Sequence, residues 1–251
     1  MNKDCKEGKK LMKKTVEILG ISFFHTTREE LKDIILQRAV RGEKCFIVTG
    51  NPEIVMHAKK NPEYLHVIRS ADYVIPDGSG IILASKILKR PLAERIAGFD
   101  FMGDMLRIAA ERSLSVYLLG AEDAVVKTAA ANIRKQYPNI RIAGFHHGYF
   151  DLRDEEVARL VVAASPDFIF VALGFPKQEI WIHHYLPMFE KGVFMGVGGS
   201  FDVLAGKAKR APEFWRRLNL EWLYRLIQQP SRWRRMLALP EFVLAVLKER
   251  F

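Results

Sequence analysis

KCFIVTGNPEIVMHAKKNPEYLHVIRSADYVIPDGSG, residues 44–80, decides the fold. KCFIVTG (44–50) and DYVIP (72–76) are short apolar runs that end in glycine or proline, which is how buried strands read. The segment between them, 51–71, is helical in two pieces. Each piece begins Asn-Pro-Glu, a cap followed by proline at the first helical position, where its missing N–H costs nothing. Strand, helix and strand at this spacing make a parallel crossover. Ligands of open parallel sheets lie beyond the carboxyl ends of the strands. Thr49, Asn51 and Asp77 fall at that edge. Two readings stand for each polar group. Asn51 caps the helix that Pro52 begins, or it meets a ligand. Asp77 belongs to a Pro-Asp-Gly-Ser-Gly turn as a helix cap, or it is a general base within reach of a hydroxyl.

The same rhythm extends in both directions. VEILGISF (16–23) reads as a strand, and 27–42 as a helix with Thr26 or Thr27 as cap and Gly42 as stop. Strands are predicted over 114–120, 140–146, 167–174 and 192–198, with helices over 122–137, 153–164 and 177–190. The expected fold is α/β: a Rossmann-like parallel-sheet body over 16–206 with helices on both faces. A basic tail, 1–15, precedes it. From 207 to 251 no strand candidate occurs, and three helical pieces are expected, separated by Pro230 and Pro240. Trp222, Leu223, Leu226 and Ile227 share one face of the middle stretch; Phe242, Val243, Val246 and Leu247 repeat that spacing.

The net charge of +10 is concentrated at the ends. Residues 207–251 carry +7, residues 1–14 carry +4, and the segment between them −1. Such an excess points to an anionic partner that meets an end of the chain. A basic amphipathic helix suits an anionic membrane surface, with Trp222, Tyr224 and Trp233 at the headgroup level. Its apolar residues equally suit packing on the body or on a second copy. No nucleic-acid recognition module or stacking platform is visible, so no nucleic-acid partner is expected. No signal peptide and no window of about 18 apolar residues is present, which implies a cytoplasmic protein. Cys5 and Cys45 have neither metal nor redox spacing.

Two glycine-bearing loops follow strands: ALGFPKQE (172–179), with Gly174, and GVGGSFDVLAGKAKRAP (196–212), with Gly198 and Gly199. Each lets backbone amides approach an anion. Neither is a P-loop, whose Gly-Lys-Ser/Thr ending is missing, and GVGGSF has the wrong spacing for a dinucleotide fingerprint.

Taken in order, TGNPEIV, PDGSGI, ERIAGFDF, YLLGA (117–121), ALGFPKQEIWI and GVGGSFDVLAGKAKRAP resemble the WecG/TagA/CpsF glycosyltransferases over nearly the whole chain. The resemblance implies transfer of N-acetylmannosamine from its UDP-sugar to undecaprenyl-diphosphate-linked N-acetylglucosamine, in making the linkage unit of wall teichoic acid; a different UDP-sugar donor, the uronic acid form or glucose, is the alternative within the same family. It implies a β-1,4 bond, hence inversion, hence one base rather than the carboxylate pair of a glycosidase. Asp77 is the candidate base. Thr49 and Asn51 carry over as sugar-site groups, and Arg95 and Gln178 as polar contacts to donor or acceptor. Many transferases hold the leaving diphosphate with a metal on an Asp-x-Asp motif, which does not occur here. No cofactor or metal is therefore expected. Amides of the glycine loops and the arginines Arg225, Arg232 and Arg235 would take that role. The expected location is the inner face of the cell membrane, with assembly of copies in solution through the apolar appendage.

Overall fold

A computed structural model describes residues 14–218, 220–228, 230, 233 and 237–250, and only the backbone of Arg225. Arg232, Arg235 and residues 1–13 lie outside the described residues.

The first segment departs from expectation. VEILGISF is not one strand but a tight hairpin of β1 (Thr15–Ile18) and β2 (Ile21–Phe24), paired Ile18 to Ile21. Leu19 and Gly20 both take positive φ, 50° and 82°, as a two-residue hairpin turn with the twist of its strands requires. Glycine adopts this at no steric cost, but Leu19 does not advertise a turn, so the apolar run reads straight through. Arg69 donates from Nε and Nη2 to the Gly20 carbonyl and holds the turn.

The crossover then forms as predicted. After α1 (Arg28–Val40), capped by Thr27 in a capping box with Glu30, come β3 (Lys44–Gly50), α2 (Pro52–Lys60), α3 (Pro62–Arg69) and β4 (Tyr73–Pro76). Asn51 and Asn61 accept from the backbone N–H of Ile54 and Tyr64, so both proline-led helices are capped by their asparagines. Two further helices follow: α4 (Ser79–Ile87), directly after the turn where the sequence offers Asp77 as a cap, and α5 (Gly98–Glu111), which the sequence does not predict. The rest alternates as β5 (Ser115–Gly120), α6 (Asp123–Gln136), β6 (Arg141–His146), α7 (Glu155–Ala164), β7 (Phe168–Ala172), α8 (Lys177–Tyr185) and β8 (Gly192–Gly196).

These six strands, β3 to β8, form one parallel sheet in the order β4-β3-β8-β7-β5-β6. Period-two alternation sends their side chains to two cores. Phe46, Val48, Ile169, Val171 and Phe194 face one, with the hairpin, α2, α3, α4, α7 and α8. Cys45, Ile47, Phe168, Phe170 and Met195 face the other, with α1, α5 and α6. The sheet is therefore covered on both faces, as its near-continuous apolar strands require.

The C-terminal part contains α9 (Ser200–Leu204), α10 (Glu213–Arg217), α11 (Glu221–Gln228) and α12 (Ala238–Arg250). Pro240 does not separate two helices as expected. It is the third residue of α12, where a first-turn N–H has no partner inside the helix and proline is tolerated. Phe242, Ala245 and Val246 of α12 are buried in the first core, and the helix packs against α2 and α4. Glu249 accepts from the N–H of Leu19, and Glu241 pairs with Lys60, so α12 is tied to the hairpin and to α2.

Candidate active site

The chain leaves β3 toward α2 on one face of the sheet and leaves β8 toward α9, whose Phe201 is in the core of the other. Two adjacent parallel strands that send their connections to opposite faces open a crevice between their carboxyl ends. A cavity of about 250 Å³ lies there. Thr49, Asn51, Asp77, Arg95 and Gly199 line it together.

Thr49 is the penultimate residue of β3; its hydroxyl donates to the Gly196 carbonyl at 3.2 Å, tying the ends of β3 and β8. Asn51 uses its Oδ1 in the helix cap, which leaves the side-chain NH₂ as the end for a ligand. Asp77 follows β4 directly. It does not cap α4, whose N-cap is Gly78 without a side-chain bond. Instead its Oδ1 accepts from the N–H of Gly98, the first residue of α5, at 3.0 Å. The carboxylate thus sits at the positive end of a 14-residue helix while lining the cavity. Gly98 has to be glycine: a Cβ there would lie 2.8 Å from Thr49 Cγ2.

Arg95 lines the cavity and is also a clasp. Its Nε donates to the Asp77 carbonyl, and its Nη2 lies 3.9 Å from Asp77 Oδ1 and 3.1 Å from Glu221 Oε2. It joins the turn that carries Asp77 to the first residue of α11. Trp222 and Leu226 of α11 and Leu239 of α12 complete the wall.

Two site residues escaped the sequence reading. Glu221 carried no signal beyond standing at a helix start. Arg210 stood in the quoted KAKRAP stretch, and its arginine–proline context only marked a loop. It lines the cavity, bonds Asp100 Oδ2 at 2.6 Å and lies 4.7 Å over the Phe99 ring. Burial pushes the Asp100 carboxyl up, but the Arg210 hydrogen bond and charge outweigh it and hold the group below the ordinary carboxylate range. Arg210 Nε is buried and has no partner among the described residues.

Other expected residues stand outside the lining. Gln178 is buried beneath the β8 loop, with its amide spent internally: Oε1 accepts from Gly198 N–H and Nε2 donates to Glu179. Gly198 presents its N–H to that glutamine, so the neighbouring Gly199 is the one at the cavity rim. Gly174 belongs to the β7–α8 loop, with φ +75° and its carbonyl accepting from Gln178 N–H. The Arg225 side chain, Arg232 and Arg235 are outside the described residues.

Among the described lining residues, Glu53, Asp77 and Glu221 stand against Arg95 and Arg210. Among the described residues no group of three or more His, Cys, Asp or Glu has metal-site geometry, and no helix is long and apolar enough to cross a membrane.

Residues 16–251 match the model of the glycosyl transferase WecG/TagA/CpsF family. A Bacillus spizizenii protein named N-acetylglucosaminyldiphosphoundecaprenol N-acetyl-beta-D-mannosaminyltransferase is 47% identical over 205 residues, 81% of this chain and 79% of that protein. A Staphylococcus aureus (strain MW2) protein of the same name is 44% identical over 239 residues, 94% of this chain and 93% of that protein. A Rossmann-like sheet, a carboxylate at its switch-point crevice and these matches lead to one conclusion: the chain belongs to the WecG/TagA/CpsF family of glycosyltransferases.

Proposed function

We propose that the protein transfers N-acetylmannosamine from UDP-N-acetylmannosamine to undecaprenyl-diphosphate-linked N-acetylglucosamine, forming a β-1,4 bond with inversion, in wall teichoic acid linkage-unit synthesis. The observation that carries the reading is Asp77, a carboxylate lining the cavity at the mouth of the β3–β8 crevice. The names of the Bacillus and Staphylococcus relatives support the acceptor and the sugar.

In the proposed step Asp77 takes the proton of the acceptor 4-hydroxyl as that oxygen bonds to the donor C1. The C1–O bond to the β-phosphate breaks with its electron pair, and UDP departs. A single displacement of this kind needs one base and leaves no sugar on the enzyme. Thr49 and Asn51 border the sugar. Arg95 acts on Asp77 rather than on substrate. The departing diphosphate requires cations, and the described lining is weighted to acids. Arg225, Arg232 and Arg235, in the segment whose described neighbours Leu226 and Ala238 line the cavity, supply that charge together with Arg210 and the Gly199 amide. The three acids also disfavour a hexuronate donor, which would add a carboxylate to them, and favour a neutral N-acetylhexosamine.

The acceptor is held in the cytoplasmic leaflet, and α11 and α12 suit that surface. Ile227, Trp233, Leu237 and Leu244 are exposed beside a basic segment, the combination that binds an anionic interface by apolar burial and charge. In solution the same face supports association of copies. A screen of UDP-sugars with a short-chain lipid-diphosphate-N-acetylglucosamine acceptor tests the reading. Turnover with UDP-N-acetylmannosamine alone, undiminished by EDTA, is expected. Turnover only with another donor, or only with added Mg²⁺ or Mn²⁺, would overturn that donor or the metal-independent mechanism.

A further inference from the structure

Glu179 is an acid in the wrong place for packing. It sits on the buried side of α8 between Gln178 and the core residues Trp181 and Ile182, and is 1% exposed. An ionised carboxylate there is costly unless it is paired, and among the described residues no cation acts on it. Burial, helped by the Glu53 charge from α2, pushes its carboxyl up to about 7 against the hydrogen bonds from Gln178, its own backbone and Tyr64.

The hydrogen bonds show what the residue orders. Tyr64 of α3 donates its hydroxyl to Glu179 Oε2 at 3.1 Å, and Gln178 Nε2 donates to Oε1 at 2.7 Å. The two ends of a glutamine amide are nearly the same shape, so sterics alone do not choose between them. Glu179 chooses: an acceptor at one end requires the NH₂ to face it. The carbonyl must then face the other way, where it accepts from Gly198 N–H at 3.0 Å. With the amide reversed, two donors would face each other. The β8 loop rests directly on this amide, since a Cβ on Gly196 would come within 2.6 Å of Gln178 Nε2. One residue beyond Gly198, Gly199 lines the cavity.

We propose that Glu179 is a positioning residue for the donor: by fixing the Gln178 amide it holds Gly198, and so sets the Gly199 amide where the nucleoside diphosphate binds. This rests on the reading that the cavity takes UDP. Glutamine at 179 keeps the function, because its carbonyl accepts from Gln178 while its NH₂ turns to the Tyr64 oxygen. Leucine at 179 has no acceptor and frees the amide.

The test is calorimetric titration of the full chain with UDP, alongside thermal unfolding. Glu179→Gln should bind within about twofold of the parent, while a cooperatively folding Glu179→Leu should bind on the order of tenfold more weakly, the effect of one misplaced hydrogen bond to a charged ligand. Parent-like affinity in Glu179→Leu would overturn the proposal, because a merely structural acid leaves UDP binding alone. So would equal losses in both variants, because the charge and not the acceptor would then matter. Amide exchange in the unliganded parent provides a reading if Glu179→Leu does not fold. Gly198 N–H should exchange about tenfold or more slowly than Gly199 N–H, and equal rates would overturn the brace. A parent that binds no UDP while Gly198 is protected would instead strike the donor assignment and leave the brace standing.

Discussion

The two walls of the cavity are built on different principles. The body wall consists of strand ends. Thr49, Asp77 and Gly196 stand on β3, β4 and β8 or directly after them, and their backbones are held by parallel ladders and two buried cores. The opposite wall consists of C-terminal helices. There α12 is fixed by Phe242 and Val246, 1% and 0% exposed, while α11 leaves Ile227 58% exposed and meets the body through Glu221 on Arg95. Both helices carry the same kind of amphipathic spacing, yet one face completes a core and the other remains open. The difference teaches a division of labour. Groups that must hold angstrom-level geometry against the reacting atoms belong to the rigid wall. Apolar surface that α12 does not use for packing, such as Leu244, stays exposed, which is where the proposed membrane contact would lie.

The sharpest way to break this comparison is to remove the base. Asp77→Asn should lower kcat by roughly 100- to 10,000-fold, the range for a lost general base, with vesicle binding unchanged. Near-parent turnover would take Asp77 out of the chemistry and the rigid wall out of its role. Next is the anchor of the second wall. Phe242→Ala should cost about 3–5 kcal/mol in denaturant unfolding, as for other large-to-small changes in a core. A loss below about 1 kcal/mol would mean that α12 is an accessory and not part of the core.

The clasp between the walls should matter less. Glu221→Gln keeps the shape but weakens the hold on Arg95, and should lower kcat on the order of tenfold with little change in KM for the donor. An altered KM with intact kcat would instead make Glu221 a substrate contact. On the open face, Ile227→Glu with Leu244→Glu should weaken partitioning onto anionic vesicles several-fold, with turnover of a water-soluble acceptor preserved. Unchanged partitioning would move the membrane contact elsewhere.

A last effect is in pH. The Glu179 carboxyl is raised from 4.5 in the unfolded chain to about 7 in the folded one. Between those values the native state keeps a proton that the unfolded state has lost, so its stability contribution is present below 4.5 and is lost as the pH rises through 7. Glu179→Gln should therefore gain in melting temperature relative to the parent between pH 4.5 and pH 7.5. A gain that does not change with pH would mean that the carboxyl titrates normally.

Much of this architecture is legible in the chain. The crossover over 44–76 is read from asparagine caps, N1 prolines and apolar runs, all local signals that the tertiary structure has no reason to override. The hairpin at 15–24 is not legible, because its turn uses Leu19, a residue whose positive φ is imposed by pairing. The helix at 98–111 was hidden for a related reason: its N-terminus is marked by Asp77, twenty-one residues away in sequence. The cap, and with it the orientation of the proposed base, exists only after β4 and α5 meet.

The amino-acid order by itself determined the parallel sheet, the strand-end position of Thr49, Asn51 and Asp77, and the basic helical C-terminus. These follow from hydrophobic period, capping chemistry and charge, which act over a few residues. Only the tertiary structure decided that Arg95 clasps Asp77 to Glu221, that Arg210 enters the cavity, that Gln178 braces a loop from below, and that α12 belongs to the core. Each of these joins groups far apart in sequence. Contacts of that range are set by how the layers pack, and local sequence carries no period or cap that encodes them.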